Sequence, residues 1–150
     1  MNLVSGVAMP CLIYGTAWKK DKTADLVTLA VKCGFKGIDT ACQPKHYNEA
    51  GVGEAIQRLA SAGIARKDLY IQTKFTPLNG QDPARIPYDR RAPLSEQVAQ
   101  SFDVSKQNLG ISYVEGLILH SPLENRDQTM VAWQALEKIY QQGGAKLIGI

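Results

Sequence analysis

Short apolar segments that end on a polar residue alternate with helical patterns along this chain, and this alternation limits the possible folds more than any other feature. In one such unit, residues 35–38 suit a buried strand, and Asp39 follows where a parallel strand would emerge from the core. Asn48 then begins a series of apolar residues at helical spacing, which Gly63 ends. Strands that alternate with helices predict parallel βαβ units. The polar residues after the strands are therefore expected at the carboxyl edge of one sheet.

The same pattern predicts five strands and four helices. The strands are predicted at residues 12–14, 35–38, 69–74, 114–120 and 146–150. Thr23 is suited to cap the first helix, which Gly34 ends, and Gly110 ends the third. The fourth helix carries an apolar stripe that is expected to pack on the sheet. That stripe consists of Ala132, Trp133, Leu136, Ile139 and Tyr140.

The longest segment without periodicity covers residues 75–93, between the third strand and the third helix. Its prolines, Pro77, Pro83, Pro87 and Pro93, exclude a continuous helix or strand. A loop this long in a compact domain is usually functional or disordered. Because the loop leaves from a carboxyl edge, two interpretations stay open: a lid beside a pocket, or a surface loop.

Composition and charge exclude several classes of protein. Hydrophobic residues make up 45% of the chain and charged residues 21%, which is typical of a globular domain. The net charge of +3 comes from dispersed residues, so neither a nucleic acid nor a membrane is an expected partner. The pairs Lys19-Lys20 and Arg90-Arg91 are most simply solvated loop charges. The sequence contains no window apolar enough to span a bilayer.

The three cysteines indicate a reducing environment. Cys11, Cys33 and Cys42 have no metal-ligand spacing, and no metal site is predicted. An odd number of dispersed thiols without a signal peptide favours the cytoplasm. Cys42 lies close to a polar strand end, so a reactive thiol is a minor alternative there.

Glycine placement argues against a doubly wound dinucleotide fold. The turn after the first strand reads GTAW at residues 15–18 and lacks the GxGxxG pattern that lets a backbone approach pyrophosphate. Gly51 and Gly53 fall inside the second helix, where they favour close packing against a neighbouring helix.

Four side chains are candidates for catalysis. Asp39, Lys74 and His120 each end a predicted strand, and Tyr47 directly precedes the helix cap at Asn48. If the strands are parallel neighbours, the four converge on one rim, where (β/α)8 barrels keep their chemistry. Each residue alone has an ordinary structural explanation, but four at successive rim positions favour a catalytic site.

These residues stand in a sequence that resembles the aldo-keto reductases. The resemblance extends from about Met9 to the last residue. Its motifs are MPCLIYGTAW, GFKGIDTA, HYNEAGVGEAI, LYIQTK, YVEGLILHSP and AKLIGI. The resemblance implies NADP-dependent reduction of a small aldehyde or ketone on an α/β fold, the (β/α)8 TIM barrel. Residues 1–150 would form one such domain that holds only the first half, about four βα units plus a fifth strand.

The resemblance also implies catalytic roles. Carbonyl reduction needs a hydride at carbon and a proton at oxygen. Tyr47 would donate the proton, and Lys74 would lower the tyrosine pKa from about 10. Asp39 would pair with Lys74, and His120 would donate a hydrogen bond to the substrate oxygen.

The cofactor contacts carry over to Gly15, Thr16 and Asp39, with Asp39 suited to a hydrogen bond to the nicotinamide ribose. Trp18 has two interpretations, as a wall of the substrate pocket or as a cover over the barrel mouth.

Two departures from the family pattern concern the loop before the second helix and the fourth strand. The loop is two residues longer than in most members, and His46 stands where a tyrosine is commoner. Tyr47 is retained as the acid, with His46 as an auxiliary acid in a minor interpretation. Glu115 replaces a usual aspartate and is assigned a structural role.

In this kind of barrel the cofactor phosphates usually bind to the loops after the seventh and eighth strands. The five predicted strands of this chain include neither loop. The chain alone is therefore expected to be inactive or nearly so, and to self-associate through open barrel edges. One alternative is a non-catalytic binding or regulatory subunit that retains the reductase scaffold. Another is an aldolase using Lys74 as a Schiff base, which the neighbouring Asp39 disfavours.

Overall fold

The computed structural model describes residues 2–150 and begins with a hairpin that the sequence patterns did not reveal. Strands β1 (Asn2–Val4) and β2 (Val7–Met9) pair in antiparallel fashion. Ser5 and Gly6 between them have φ angles of 47° and 80°, as a tight two-residue hairpin turn requires. Strands of only three residues carry too little alternation to be recognised.

A five-stranded parallel sheet forms the centre of the molecule. Its strands lie side by side in chain order, and every neighbouring pair is parallel. They are β3 (Ile13–Gly15), β4 (Gly37–Asp39), β5 (Tyr70–Phe75), β6 (Val114–Leu119) and β7 (Ala145–Gly149). The predicted order of βα units and a fifth strand is confirmed.

Four helices connect these strands. They are α1 (Thr23–Lys32), α2 (Glu49–Ser61), α3 (Leu94–Leu109) and α4 (Arg126–Gln141). Crossovers between neighbouring parallel strands share one hand, so the helices cover one face of the sheet, and consecutive helices contact each other. The core fills the space between the two layers with fully buried aliphatic side chains. Examples are Val27, Ile38, Val52, Ile71, Leu117 and Leu136.

Two details of the helices differ from the sequence prediction. Thr23 does not cap α1; it lies inside the helix, and its hydroxyl donates to the carbonyl of Lys20. A 3-10 turn at Lys20–Lys22 runs directly into α1 and leaves no extended cap position. Tyr140 is 49% exposed, because it lies about 100° around α4 from the buried Ile139.

Glu115 connects three elements at the amino end of the sheet, in line with the structural role assigned to it. One carboxylate oxygen accepts from Arg66 at 2.7 Å and from the backbone N–H of Ile71 at 2.9 Å. The other oxygen accepts from Lys146 at 3.1 Å. The Glu115 side chain is only 6% exposed, so these contacts replace the water that its charge has lost.

The loop between β5 and α3 is anchored beside the carboxyl edge. The buried Tyr88 donates its hydroxyl proton to the carbonyl of Thr76 at 2.8 Å. The side-chain amide of Gln81 donates to the carbonyls of Cys42 and Thr76. The loop therefore packs against the rim through buried contacts and is more than a projecting surface loop.

Gly53 lets α2 approach α3 closely, as its position inside the helix suggested. A Cβ atom added there would lie 2.2 Å from the carbonyl oxygen of Asn108 and 3.0 Å from the backbone of Leu109. These are backbone atoms of α3, so they cannot move away unless the helix itself shifts.

Replacing Gly53 with Ala is therefore expected to lower the free energy of unfolding by about 1–3 kcal/mol, the usual cost of overpacking. At an open helix position the same change would stabilise by about 0.5–1 kcal/mol. Urea denaturation measures the difference, with Ala60→Gly at an exposed position of α2 as the control for helix propensity. A stabilised Gly53→Ala variant would contradict the close packing.

Candidate active site

All four candidate catalytic residues lie at the carboxyl edge of the sheet. Asp39 is the last residue of β4, Lys74 is the penultimate residue of β5, and His120 directly follows β6. Tyr47 precedes Asn48, whose side chain caps α2 by accepting from the N–H of Gly51. Parallel pairing in chain order brings the three strand ends together, and the cap fixes the loop that carries the tyrosine.

Asp39 and Lys74 form a short ion pair on the face of the sheet that is turned away from the helices. Lys74 Nζ lies 2.6 Å from one oxygen of Asp39 and donates at 2.8 Å to the backbone carbonyl of Thr40. Gln72 Nε2 donates to the other oxygen of Asp39 at 2.7 Å. Both charged side chains are mostly buried, so their positions are fixed by these contacts.

Tyr47 lies between the ammonium of Lys74 and the ring of His120. Lys74 Nζ is 5.0 Å from the centre of the Tyr47 ring, and the Tyr47 and His120 rings meet edge to face at 6.0 Å. Burial, and then the charge of Asp39, raise the pKa of Tyr47 above its ordinary value. The resemblance implied that Lys74 would lower this pKa. The difference arises because burial of the hydroxyl and the charge of Asp39 both disfavour the phenolate.

His120 is held by a residue that the sequence analysis missed. Its Nδ1 lies 2.8 Å from the hydroxyl of Thr76, and its backbone N–H donates to the carbonyl of Phe75. Burial, and then the charge of Lys74, lower the pKa of His120 below its usual 6.5. The imidazole is therefore neutral at pH 7, and one of its two ring nitrogens is engaged in the hydrogen bond with Thr76.

This rim occurs in a chain whose residues 9–150 match the model of the Aldo/keto reductase family. The chain belongs to this family. The resemblance seen in the motifs is thus confirmed, and the match includes all four candidate residues.

Similar proteins support the family and the fold. Morphine 6-dehydrogenase of Pseudomonas putida is 33% identical, covering 100% of this chain and 45% of that protein. An aldo/keto reductase structure from Brucella melitensis is 32% identical with a TM-score of 0.76, covering 99% of this chain and 51% of that one. An aldo-keto reductase of the silkworm Bombyx mori, complexed with NADPH, is 25% identical with a TM-score of 0.77. The match covers 99% of this chain and 46% of that one.

The chain spans about half the length of the curated relatives it matches. Its five parallel strands and their helices correspond to part of a (β/α)8 TIM barrel, which confirms the predicted fold class. Within residues 2–150, the helices are all too short or too polar to cross a membrane. The same residues include no cluster of three or more His, Cys, Asp and Glu side chains suited to a metal ion.

The loop before α2 places Tyr47, and not His46, against the other rim residues. The backbone N–H groups of His46 and Tyr47 both donate to the carbonyl of Gln43, which closes a turn in this loop. The His46 ring instead stacks on Trp18, with ring centres 3.9 Å apart. Trp18 is 65% exposed, so it covers His46 at the mouth of the site.

Gly15 and Thr16 occupy different places relative to the open rim. A Cβ atom added at Gly15, which pairs with Asp39, would meet nothing within 4 Å, so open space adjoins the carboxylate. Thr16 is fully buried, and both its N–H and its hydroxyl donate to the backbone carbonyl of Asp39. Gly15 thus borders the opening, whereas the buried Thr16 fixes the end of β4 through its hydrogen bonds to the Asp39 backbone.

The structure contradicts the alternative of a reactive Cys42. Burial, and then the charge of Glu49, raise the pKa of this thiol to about 12. Glu49 is itself buried, and it accepts from Thr73 at 2.6 Å and from Ser105 at 3.2 Å. A thiol is nucleophilic only as the thiolate, so Cys42 is inert at neutral pH.

Thiol labelling at pH 7.5 is expected to modify Cys11 and Cys33, which are exposed, well before Cys42. The measurement is the time course of reaction with a chromogenic disulfide reagent, with the labelled residues identified by mass spectrometry. Cys42 is expected to react at a comparable rate only after unfolding in denaturant. Labelling of Cys42 in the native protein as fast as Cys33 would contradict its burial.

Proposed function

We propose that this chain carries the catalytic residues of an NADP-dependent reductase that converts an aldehyde or ketone to an alcohol. The contact that supports this most strongly is Lys74, paired with Asp39 at 2.6 Å and lying 5.0 Å from the ring centre of Tyr47. A lysine fixed by a carboxylate beside a tyrosine is suited to hold a phenol hydroxyl as a proton donor. Family membership supports the same chemistry.

The opening beside Gly15 and Asp39 fits the nicotinamide end of such a cofactor. Open space adjoins Gly15, where even an added Cβ would meet nothing within 4 Å, and the Asp39 carboxylate is held in place by Lys74 and Gln72. When bound, the nicotinamide supplies the hydride for the carbonyl carbon. Gly15 and Asp39 would border it, and Thr16 would position Asp39 through the backbone. The NADPH complex of the silkworm relative supports the choice of cofactor.

Tyr47 would supply the proton to the carbonyl oxygen. Its raised pKa keeps the hydroxyl protonated at neutral pH, so the proton is available when the oxygen gains negative charge. The Lys74 ammonium would hold the tyrosine ring in place through its contact 5.0 Å from the ring centre. Neutral His120, with Nδ1 bound to Thr76, would direct Nε2–H at the substrate oxygen and fix its orientation.

We further propose that residues 1–150 belong to one reductase domain, of which they form the first half, and that the protein lies in the cytoplasm. Within the described residues, β3 and β7 each have a partner strand on one side only, so these edges are where self-association would occur. Turnover by the chain alone would be slow, because the residues proposed to hold the cofactor lie only at its nicotinamide end.

Isotope transfer tests the function even when turnover is slow. The chain is incubated with 4-nitrobenzaldehyde and NADPH that carries deuterium at both hydrogen positions of C4 of the dihydronicotinamide, and the alcohol is analysed by mass spectrometry. We expect alcohol that carries one deuterium at the carbinol carbon. NADPH binding, followed by fluorescence, without any alcohol would instead support a non-catalytic binding or regulatory subunit.

A further inference from the structure

A cavity of about 460 Å³ opens directly beside Tyr47 and is not needed for the proton-donor role. It lies where the loop after β3, the lengthened loop before α2 and the loop after β5 meet. The residues that matter for its chemistry are Trp18, Lys20, Lys45, His46, Tyr47 and Arg85.

The charge of this cavity has one sign. Lys20, Lys45 and Arg85 reach it from three separate segments, and no Asp or Glu is among its lining residues. Asp82 is bound to Arg85 at 3.0 Å and its charge also acts on Lys45, so a single carboxylate stands against the three cations. Like charges brought together from separate loops attract an anion into the space between them.

Lys20 and Trp18 have strained backbone conformations, and hydrogen bonds from neighbouring segments hold them in place. Their φ angles are 51° and 63°, in the left-handed region that residues with side chains rarely adopt. Trp18 N–H donates to the carbonyl of His46 at 2.7 Å. The carbonyl of Lys20 accepts from Thr23 at 2.7 Å and from Asn48 at 3.1 Å. Such strain is found where a site must keep a given shape.

We propose that this cavity binds a carboxylate or phosphate group at the far end of the carbonyl substrate. The inference rests on the proposed function, because Tyr47 lines the cavity and would act on the carbonyl at the other end of the same molecule. The phosphates of the cofactor are the competing occupant. The residues proposed to border or position the nicotinamide, Gly15, Thr16 and Asp39, do not line the cavity, which favours the substrate.

Paired substrates test the inference by kinetics. The isotope assay compares 4-oxobutanoate with butanal, and glyceraldehyde 3-phosphate with glyceraldehyde. We expect kcat/KM to favour the anion in at least one pair by about five- to tenfold, the value of one or two exposed ion pairs. The pair that shows the preference identifies carboxylate or phosphate as the natural group. Equal rates within both pairs would overturn the inference and leave the proposed function standing.

Variants that remove cationic side chains test whether the cavity causes the preference for the anionic substrate. The double variant Lys45→Gln/Arg85→Gln is expected to remove most of the preference for the anion, and raised salt is expected to weaken it in the unaltered chain. Lys32→Gln, which removes an exposed lysine of α1 that does not line the cavity, is the matched control and should retain it. An unchanged preference in the double variant would overturn the assignment. A double variant that loses affinity for NADPH as strongly as for the anionic substrate would assign the cavity to the cofactor instead.

A binding measurement separates this inference from the proposed function. Amide shifts of the ¹⁵N-labelled chain are followed during titration with 4-hydroxybutanoate, glycerol 3-phosphate and, as the uncharged probe, 1-butanol. We expect shifts at residues 18–20 and 45–47 with an anion and not with 1-butanol, and their loss in the double variant. If these shifts occur but no alcohol is formed, the anion site is supported and the proposed reductase function is contradicted. No response to either anion would overturn the site.

Discussion

Replacing Tyr47 with Phe is expected to lower the rate of alcohol formation by about 10²–10⁴-fold, the usual contribution of a general acid. The ring would keep its contacts with Lys74 and His120, so only the proton at the substrate oxygen is lost. Affinity for NADPH is expected to change by less than about twofold, because the hydroxyl acts in the transition state.

The control for Tyr47→Phe is Tyr140→Phe, which removes the same hydroxyl from the exposed face of α4. This variant should keep the full rate. The pKa of Tyr47 is raised from 10.0 and that of His120 is lowered from 6.5. The rate should therefore stay level from about pH 7 to about pH 9, where both groups keep the required proton state. A Tyr47→Phe variant with more than about half of the original rate would contradict the role of the hydroxyl.

Glu115→Ala is expected to lower the free energy of unfolding by about 3 kcal/mol, because it leaves Arg66 without its buried carboxylate. It also leaves the backbone N–H of Ile71 without an acceptor and releases Lys146. The Glu115 side chain is 6% exposed and that of Arg66 19%, so water replaces these contacts poorly. Urea denaturation should show a lower midpoint with an unchanged slope.

Two further variants place this value in context. Glu115→Gln removes the charge but keeps an oxygen for the N–H of Ile71, so it should cost less than Glu115→Ala. Asp103→Ala breaks the exposed pair with Lys106 on α3 and should cost about 0–1 kcal/mol. If Glu115→Ala costs no more than Asp103→Ala, the buried network does not stabilise the sheet.

The parts of the fold that follow a long periodic pattern could be predicted from the sequence. The end of α3 at Leu109 was predicted from Gly110, which adopts the left-handed conformation that ends a helix. The strand-end positions of Asp39 and His120 followed from the same reasoning. The β1–β2 hairpin could not be predicted, because its strands are too short to show alternation.

The geometry of the site was less accessible because it depends on register. Gln72 could have been found, because it lies two residues before Lys74 and therefore on the same face of β5. Thr76 is opposite His120 only because Phe75 pairs with Leu119, and this register is a tertiary property. The pKa of Tyr47 likewise depends on its burial and on its position relative to Asp39, which the spacing of the two residues does not state.

A double variant tests most directly whether the rim residues act as one catalytic unit. The rate of deuterated alcohol formation is compared among the unaltered chain, Tyr47→Phe, Lys74→Met and the variant that carries both substitutions. If Lys74 acts through Tyr47, the double variant should be about as slow as the slower single variant, because residues that act as a unit show non-additive losses. Losses that multiply would mean that the two residues act independently and would contradict the proposed site.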